Sequence, residues 1–157
     1  MKTITVKEIY SPTDSCYLCF QENAPITGIA EKFAHDPSLR AVFLTDSKGK
    51  FTGMVRRSDM MKWLYLQIYG KVGGGDVSTG DAIQFTLAKE AIDIARGNAD
   101  SIGVKPEDTL QKALDKMIAH KESIVPVLDN EDKILGDLRA STVLKKALEM
   151  WEKEKKD

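Results

Sequence analysis

The 157-residue sequence has little cysteine, few aromatic residues, almost no net charge and no long apolar run. Two cysteines, Cys16 and Cys19, are too few for a disulfide framework and are typical of a reducing cytosol. A net charge of −1 gives no general attraction to nucleic acid or to anionic lipid. Because there is no run of about 18 apolar residues and no apolar signal-peptide core at the N-terminus, we expect a cytoplasmic protein with no membrane span.

The chain also contains an internal repeat with a spacing of 83 residues. The 24 residues from Ala41 and the 24 residues from Ile124 share seven identities, among them Arg56 with Arg139. Unrelated segments of this length would share roughly one or two, so duplication explains the match. With 42% hydrophobic residues, the chain can bury a core as one domain or as two halves.

Apolar residues at helical spacing predict a buried face on two helices of each repeat. The faces of the first helices are Ile26, Ile29, Ala30, Phe33 and Ala34 in one repeat and Leu110, Ala113, Leu114, Met117 and Ile118 in the other. The faces of the second helices are Met60, Met61, Leu64, Tyr65 and Ile68, then Val143, Leu144, Ala147, Leu148 and Trp151.

Two short strands lie between the helices of each repeat. We predict strands at 41–45 and 51–55, and again at 124–128 and 134–138, each pair joined by a turn rich in Asp, Asn, Ser and Gly. A further strand precedes each first helix, "CYLCFQ" in the first repeat and "DSIGVK" in the second. The predicted fold class is therefore α/β (α+β), with two β-α-β-β-α repeats.

The same pattern predicts the domain boundaries. The first repeat covers 1–69, a Gly-rich linker covers 70–81, and the second repeat with a preceding helix covers 82–157. The preceding helix is "DAIQFTLAKEAIDIARG", 81–97, which we expect to end at Gly97.

This ordered set of features, present twice, resembles a tandem pair of the CBS-domain family. The second repeat carries the resemblance best, in "SIGVKPEDTLQKALDKMIAHKESIVPVLDNEDKILGDLRASTVL". The resemblance implies that the repeats pack as a pseudo-twofold pair and that two pairs form a flat, disc-shaped homodimer. It also implies two related clefts between the repeats, which in many members bind AMP, ADP, ATP or S-adenosylmethionine and control an attached or partner protein.

The resemblance further implies which residues would form the clefts. The family motif is similar to Gly-hydrophobic-hydrophobic-Thr/Ser-x-x-Asp, in which the Asp can accept both ribose hydroxyls while the helix N-terminus favours phosphate. The better cleft would comprise Asp59, Ser58 and Arg56 with Ile102, Ser123 and Ile124 of the opposite repeat. The second cleft departs from the motif and would comprise Leu18, Arg40, Ala41, Arg139, Ser141 and Thr142.

Each candidate also has a purely structural interpretation. Asp59 in the first turn of a helix stabilises the helix dipole by about 0.3–1 kcal/mol without any ligand. Arg56 and Arg139 can clamp a phosphate or lie on the surface. Ile102 and Ile124 fit a plain hydrophobic core equally well.

The Cys16-x-x-Cys19 spacing is similar to metal and redox motifs, but no second pair of ligands follows it. Alternation along the predicted strand would separate the two sulfurs, so we expect buried or half-buried thiols and no metal site.

We therefore hypothesise a regulatory module that binds an adenine nucleotide or S-adenosylmethionine as effector and acts on a separate, unknown protein. It needs no cofactor and is not an enzyme, since no nucleophile–base or metal constellation is visible. The alternative is a dimerisation or scaffold protein with degenerate, non-binding clefts. The charge and the lack of interleaved aromatic and basic residues argue against a nucleic-acid partner.

Overall fold

The computed structural model describes residues 3–12, 18–70 and 79–156. The strands in chain order are β1 (Ser11–Pro12), β2 (Cys19–Gln21), β3 (Ala41–Thr45), β4 (Phe51–Arg56), β5 (Ile124–Leu128) and β6 (Ile134–Arg139). The α-helices are α1 (Ile26–His35), α2 (Arg57–Tyr69), α3 (Thr79–Leu87), α4 (Ala99–Ile102), α5 (Leu110–His120) and α6 (Ala140–Lys156). The α/β fold class and both predicted hairpins are confirmed.

Contacts divide the chain into two compact units. Unit 1 consists of Met1–Tyr17, Gly49–Phe51 and Asn98–Asp157, and unit 2 of Leu18–Lys48 and Thr52–Gly97. These units follow contacts and not the sequence repeat, so the repeat boundaries 1–69 and 82–157 stay a prediction. Most of the predicted linker, 71–78, lies outside the described residues.

Unit 2 is built on the sheet β2-β3-β4, in which β2 runs parallel to β3. All five residues of β3 are buried, as expected for an apolar run covered on both faces. Helix α1 packs its Ile26, Ile29 and Phe33 into the core of this unit. The segment after α3 returns to the unit through a bridge between Glu90 and Pro25.

Unit 1 contains the antiparallel sheet β1-β6-β5 and a core formed by the sheet, α5, α6 and the N-terminal segment. The Val6 amide donates to the Asp108 carbonyl at 2.8 Å, which joins the N-terminal segment to the loop before α5. A Cβ atom on Gly136 would lie 2.1 Å from the Ser11 carbonyl oxygen, so only glycine permits this approach of β1 to β6.

The single helix predicted at 81–97 is wrong. Helix α3 ends at Leu87, and a 3-10 turn at Ala91–Ile94 follows it. The Lys89 and Glu90 amides donate to the Asp93 carboxylate, which replaces the carbonyl acceptors that a continuous helix would offer.

The strand predicted at "DSIGVK" is also wrong in its first half. Residues Ala99–Ile102 form helix α4, and Val104 alone pairs with Val127 as an isolated parallel bridge. The helix forms because the Asn98 side chain accepts from the Ser101 amide while the Ser101 hydroxyl accepts from the Asn98 amide.

The buried faces predicted for the second helices are largely wrong. Helix α2 buries Asp59, Met60, Trp63 and Leu66, and α6 buries Val143. The exposed large apolar residues of α2 and α6 are Met61, Leu64, Tyr65, Ile68, Tyr69, Leu144, Leu148 and Trp151. Helix α2 is apolar around most of its circumference, so periodicity could not decide which stripe packs against the sheet. On the first helices the predictions hold except at Ala34 and Ile118, which are exposed.

Cys19 is disulfide-bonded, so the expectation of a thiol is wrong for this residue. The expectation assumed a strand through both cysteines, whereas β2 begins only at Cys19. Cys16 lies outside the described residues. Within the described ranges, no helix combines the length and apolar character that crossing a bilayer requires.

Candidate functional site

Asp59 lies in the first turn of α2, where β4 ends and the helix begins. Arg56 is the last residue of β4 and precedes the helix in an extended conformation. Its amide donates to Oδ2 of Asp59 at 2.9 Å, so the carboxylate satisfies one N–H group at the start of the helix. The Asp59 side chain is 0% exposed. The structural role considered for Asp59 from the sequence is therefore present.

The buried Asp59 carboxylate also forms an ion pair with Arg96. Nη2 of Arg96 donates to Oδ1 and Nε donates to Oδ2 at 3.2 Å, which is the two-pronged geometry that a guanidinium makes with a carboxylate. Nε of Arg56 lies 3.6 Å from the same Oδ2. Two guanidinium groups thus compensate one buried charge, which would be strongly unfavourable without a partner.

The backbone of β4 holds Arg96 in this position. The Met54 amide donates to the Arg96 carbonyl at 2.9 Å, and the Arg96 amide donates to the Met54 carbonyl at 3.0 Å. A Cβ atom on Gly53 would lie 2.8 Å from Cβ of Ala95, so glycine lets the Arg96 segment approach the strand.

The 3-10 turn before Arg96 is stabilised by Asp93. Hydrogen bonds from the Glu90 and Lys89 amides, in that order of importance, hold the pKa of the Asp93 carboxyl below its usual value. Since the ionised form is the better acceptor, the turn that leads to Arg96 is strongest above the usual Asp pKa and weakens as the carboxylate is protonated.

Arg57 has a different role from Arg56. Its Nε donates to the Leu39 carbonyl at 3.1 Å, and its Nη2 donates to the carbonyls of Phe33 at 3.2 Å and Asp36 at 2.7 Å. The guanidinium also lies 5.3 Å from the centroid of the Phe33 ring. Arg57 therefore ties the C-terminal end of α1 to the start of α2.

The second repeat places its carboxylate elsewhere. Thr142 occupies the helix position of Asp59, and Arg139 donates from Nε to Oδ2 of Asp137 on β6 at 3.1 Å. The Asp137 side chain is 5% exposed. Both junctions therefore contain an arginine–carboxylate pair, but the second carboxylate is on the strand and leaves the first turn of α6 without an acidic group.

The other predicted residues lie in both units. Ile102 and Ile124 are buried in unit 1, Ile102 at the end of α4 and not on a strand, and Ser123 is exposed beside Ile124. Of the first predicted set, the structure brings Arg56, Ser58 and Asp59 together where β4 ends and α2 begins. In the second set, Leu18 and Ala41 are buried and Arg40 is exposed. Arg139 is the last residue of β6, and Ser141 and Thr142 lie in the first turn of α6. A common ligand for residues of both units stays a prediction.

Sequence reasoning missed Arg96 and Asp137. A buried carboxylate requires a cationic partner, and that requirement is the one signal that could have prompted a search for Arg96. Arg96 is 37 residues from Asp59, within the segment that the sequence predicts as one continuous helix, so no spacing pattern connects the two residues. In the part of the chain that the structure describes, no group of three or more His, Cys, Asp or Glu side chains could hold a metal ion.

Comparison with known proteins agrees with this architecture. The CBS domain family profile matches residues 6–66 and 92–149. Similar solved structures include CBSX2 in complex with AMP (TM-score 0.70, 17% identity, 94% of this chain and 98% of that chain). They also include a CBS domain-containing protein from Thermotoga maritima (TM-score 0.69, 23% identity, 95% of each chain).

A third similar structure is the CBS domain pair of protein MJ0100 in complex with 5′-methylthioadenosine and S-adenosyl-L-methionine (TM-score 0.65, 18% identity, 92% of this chain and 95% of that chain). No curated protein shows significant sequence similarity to the chain. With two matches that together cover most of its length, the chain belongs to the CBS-domain family, as a tandem pair of CBS domains.

Proposed function

We propose that the chain is a regulatory module that binds an adenine nucleotide or adenosyl compound at Asp59 and signals to a partner protein. The observation that carries this proposal is the buried Asp59 carboxylate in the first turn of α2, with Arg56 and Ser58 in the same turn. A carboxylate accepts ribose hydroxyls, while helix N–H groups and a guanidinium favour phosphate. Among the similar structures, CBSX2 is in complex with AMP and the MJ0100 pair is in complex with adenosyl compounds, which supports this ligand class.

Signalling requires that the ligand bind two arrangements of the module with different affinity, because a ligand with equal affinity shifts no equilibrium. Under this proposal the module contributes binding and no catalysis. The residues predicted from the other repeat, Ile102, Ser123 and Ile124, are the proposed adenine contacts. The regulated protein is a separate polypeptide.

We also propose that the module is a homodimer. The exposed apolar residues of α2 and α6 form a similar surface on the equivalent helix of each repeat. Large exposed apolar patches mark interaction surfaces. A second copy of the chain is the proposed occupant, because the repeat provides matching surfaces of the kind that twofold symmetry pairs.

The second candidate function is a dimerisation scaffold without a ligand. The Asp59–Arg96 ion pair supports it, since a satisfied carboxylate stabilises the helix start with no nucleotide present. Thr142 in place of a second Asp supports it as well.

Thermal unfolding with AMP, ADP, ATP, S-adenosylmethionine and GTP separates these functions. A ligand at 100 times its dissociation constant adds about 2.7 kcal/mol, which raises the midpoint by roughly 5–10 °C for a chain of this size. We expect such a shift with at least one adenosine compound, its loss in Asp59→Asn, and its retention in Glu31→Gln, an exposed carboxyl of α1. No shift with any compound would favour the scaffold, and a shift that survives Asp59→Asn would reject the site.

A further inference from the structure

Asp59 is closed to any ligand in the conformation that the structure shows. Its side chain is 0% exposed, and both carboxylate oxygens accept hydrogen bonds from Arg96. Oδ2 accepts a further bond from the Arg56 amide. A ribose that uses both oxygens must therefore displace the Arg96 guanidinium.

Arg96 is placed so that its guanidinium can leave while its backbone stays. The side chain is 39% exposed, in contrast to the fully buried carboxylate that it covers. The Met54 amide donates to the Arg96 carbonyl, and the Met54 carbonyl accepts from the Arg96 amide. A displaced guanidinium consequently remains attached beside the site, within the length of one side chain.

From this geometry we infer that Arg96 is a latch that selects adenosine 5′-phosphates over neutral or cationic adenosyl compounds. The inference rests on the proposed function and specifies the ligand class of the same site. In the closed state Arg96 binds Asp59. In the open state the ribose binds Asp59, and Arg96 binds a phosphate of the same ligand.

The charges of the site give the physical reason. Opening the latch breaks a two-pronged, charge-assisted interaction. A nucleotide replaces it, because phosphate oxygens accept from a guanidinium in the same geometry. Adenosine and 5′-methylthioadenosine offer no such anion, so they must open the latch without compensation. S-adenosylmethionine carries a positive sulfonium at the 5′ position, which the Arg56 and Arg96 guanidiniums repel, and its carboxylate lies several bonds beyond the position of a nucleotide's first phosphate.

The test is calorimetric titration of AMP, adenosine, 5′-methylthioadenosine and S-adenosylmethionine into the wild type and Arg96→Gln. We expect the wild type to bind AMP at least about tenfold more tightly than adenosine, the factor that one charge-assisted bond provides. In Arg96→Gln we expect adenosine to bind more tightly than in the wild type and AMP more weakly, so that the preference for AMP falls to about threefold or less. Lys48→Gln, which removes an exposed positive charge of the same unit, is the matched control and should leave the preference unchanged.

Two outcomes distinguish a failure of the latch from a failure of the proposed function. If AMP binds the wild type and not Asp59→Asn, while Arg96→Gln changes AMP and adenosine by the same factor, the latch is wrong and the function stands. If no adenosine compound binds the wild type or Arg96→Gln, the proposed function fails and the latch fails with it.

Arg96→Lys keeps the test decisive where Arg96→Gln folds poorly. Lysine retains the positive charge but not the two-pronged geometry, so the preference for AMP should persist in this variant while adenosine binds more tightly. Loss of the preference in Arg96→Lys, with a circular dichroism spectrum like that of the wild type, would overturn the inference.

Discussion

Among the individual residues, the arginines at the first junction differ in role although they are neighbours in the sequence. Arg56 lies beside Asp59, whereas Arg57 donates to three backbone carbonyls near the end of α1. The second repeat has Ala140 at the position equivalent to Arg57, so the tie belongs to the first repeat alone. The carbonyl of Phe33 is among the last four of its helix, which have no partner within the helix.

Arg57→Ala should therefore lower the free energy of unfolding by about 1.5–3 kcal/mol, since hydrogen bonds from a charged donor are lost and partly buried carbonyls remain. Urea unfolding followed by circular dichroism measures the change. Arg40→Ala removes an exposed guanidinium nearby and should stay within about 0.5 kcal/mol of the wild type. Equal effects of the two substitutions would contradict a structural role for Arg57.

Of the two residues in the Asp59–Arg96 pair, the sequence predicts Asp59 as a site residue and does not predict Arg96. Asp59 is a candidate because it stands at the Asp position of the motif that the family resemblance implies, Gly-hydrophobic-hydrophobic-Thr/Ser-x-x-Asp. Arg96 comes from a segment that returns to β4 after α3, and its backbone pairing with Met54 is a long-range contact. A motif of consecutive residues can therefore identify the acceptor, Asp59, but not the donor, Arg96, which comes from a distant segment.

Among the elements, strand β4 determines where the Arg96 segment lies. Gly53 and Met54 are adjacent on β4 and contact Ala95 and Arg96 respectively. The chain passes closer to Gly53 than any side chain would permit, and the same approach aligns Arg96 with Asp59. The position of the ion pair is consequently a property of the strand as much as of the two charged residues.

Gly53→Ala should lower the free energy of unfolding by about 1–3 kcal/mol, the usual effect of forcing an extra group into a packed contact. Gly28→Ala is the matched control within α1, where an added Cβ meets nothing within 4 Å. That control should be more stable than the wild type by about 0.5–1 kcal/mol, because alanine favours helix more than glycine does. Chemical denaturation of both variants gives the comparison, and a neutral Gly53→Ala would show that the Ala95 segment moves without loss.

The prediction of one helix at 81–97 is wrong because of contacts that this segment makes with other parts of the fold. Its composition favours helix throughout, but Asp93 offers the Lys89 and Glu90 amides an alternative acceptor, and Glu90 pairs with Pro25. A contact with a residue 65 positions away in the chain thus outweighed local helix propensity.

At the scale of the whole molecule, the exposed apolar residues of α2 and α6 are a feature that packing within a single chain does not bury. Ile68 is 68% exposed on α2, and Leu148 is 52% exposed on α6. Periodicity predicted that these residues face a core. The structure leaves them at the surface, where the proposed homodimer would cover them.

Leu148→Glu and Ile68→Glu should each convert a dimer to a monomer in sedimentation velocity, because burying a carboxylate at an apolar interface is strongly unfavourable. Ile118→Glu is the control, since Ile118 is 72% exposed on α5 and outside this surface. It should remain dimeric at the same concentration. A wild type that sediments as a monomer at micromolar concentration would refute the homodimer, and retention of the dimer in both variants would place its interface elsewhere.

By itself, the sequence determined the duplication, the hairpins, the first helices and the CBS-domain resemblance, because each rests on local periodicity or on a fixed spacing. Asp59 became a candidate through that resemblance. Tertiary structure alone decided the break after α3, which stripe of α2 is buried, and that Arg96 and Asp137 supply the ionic partners. These features depend on contacts between segments far apart in the chain, where packing and the pairing of buried charges outweigh local preference.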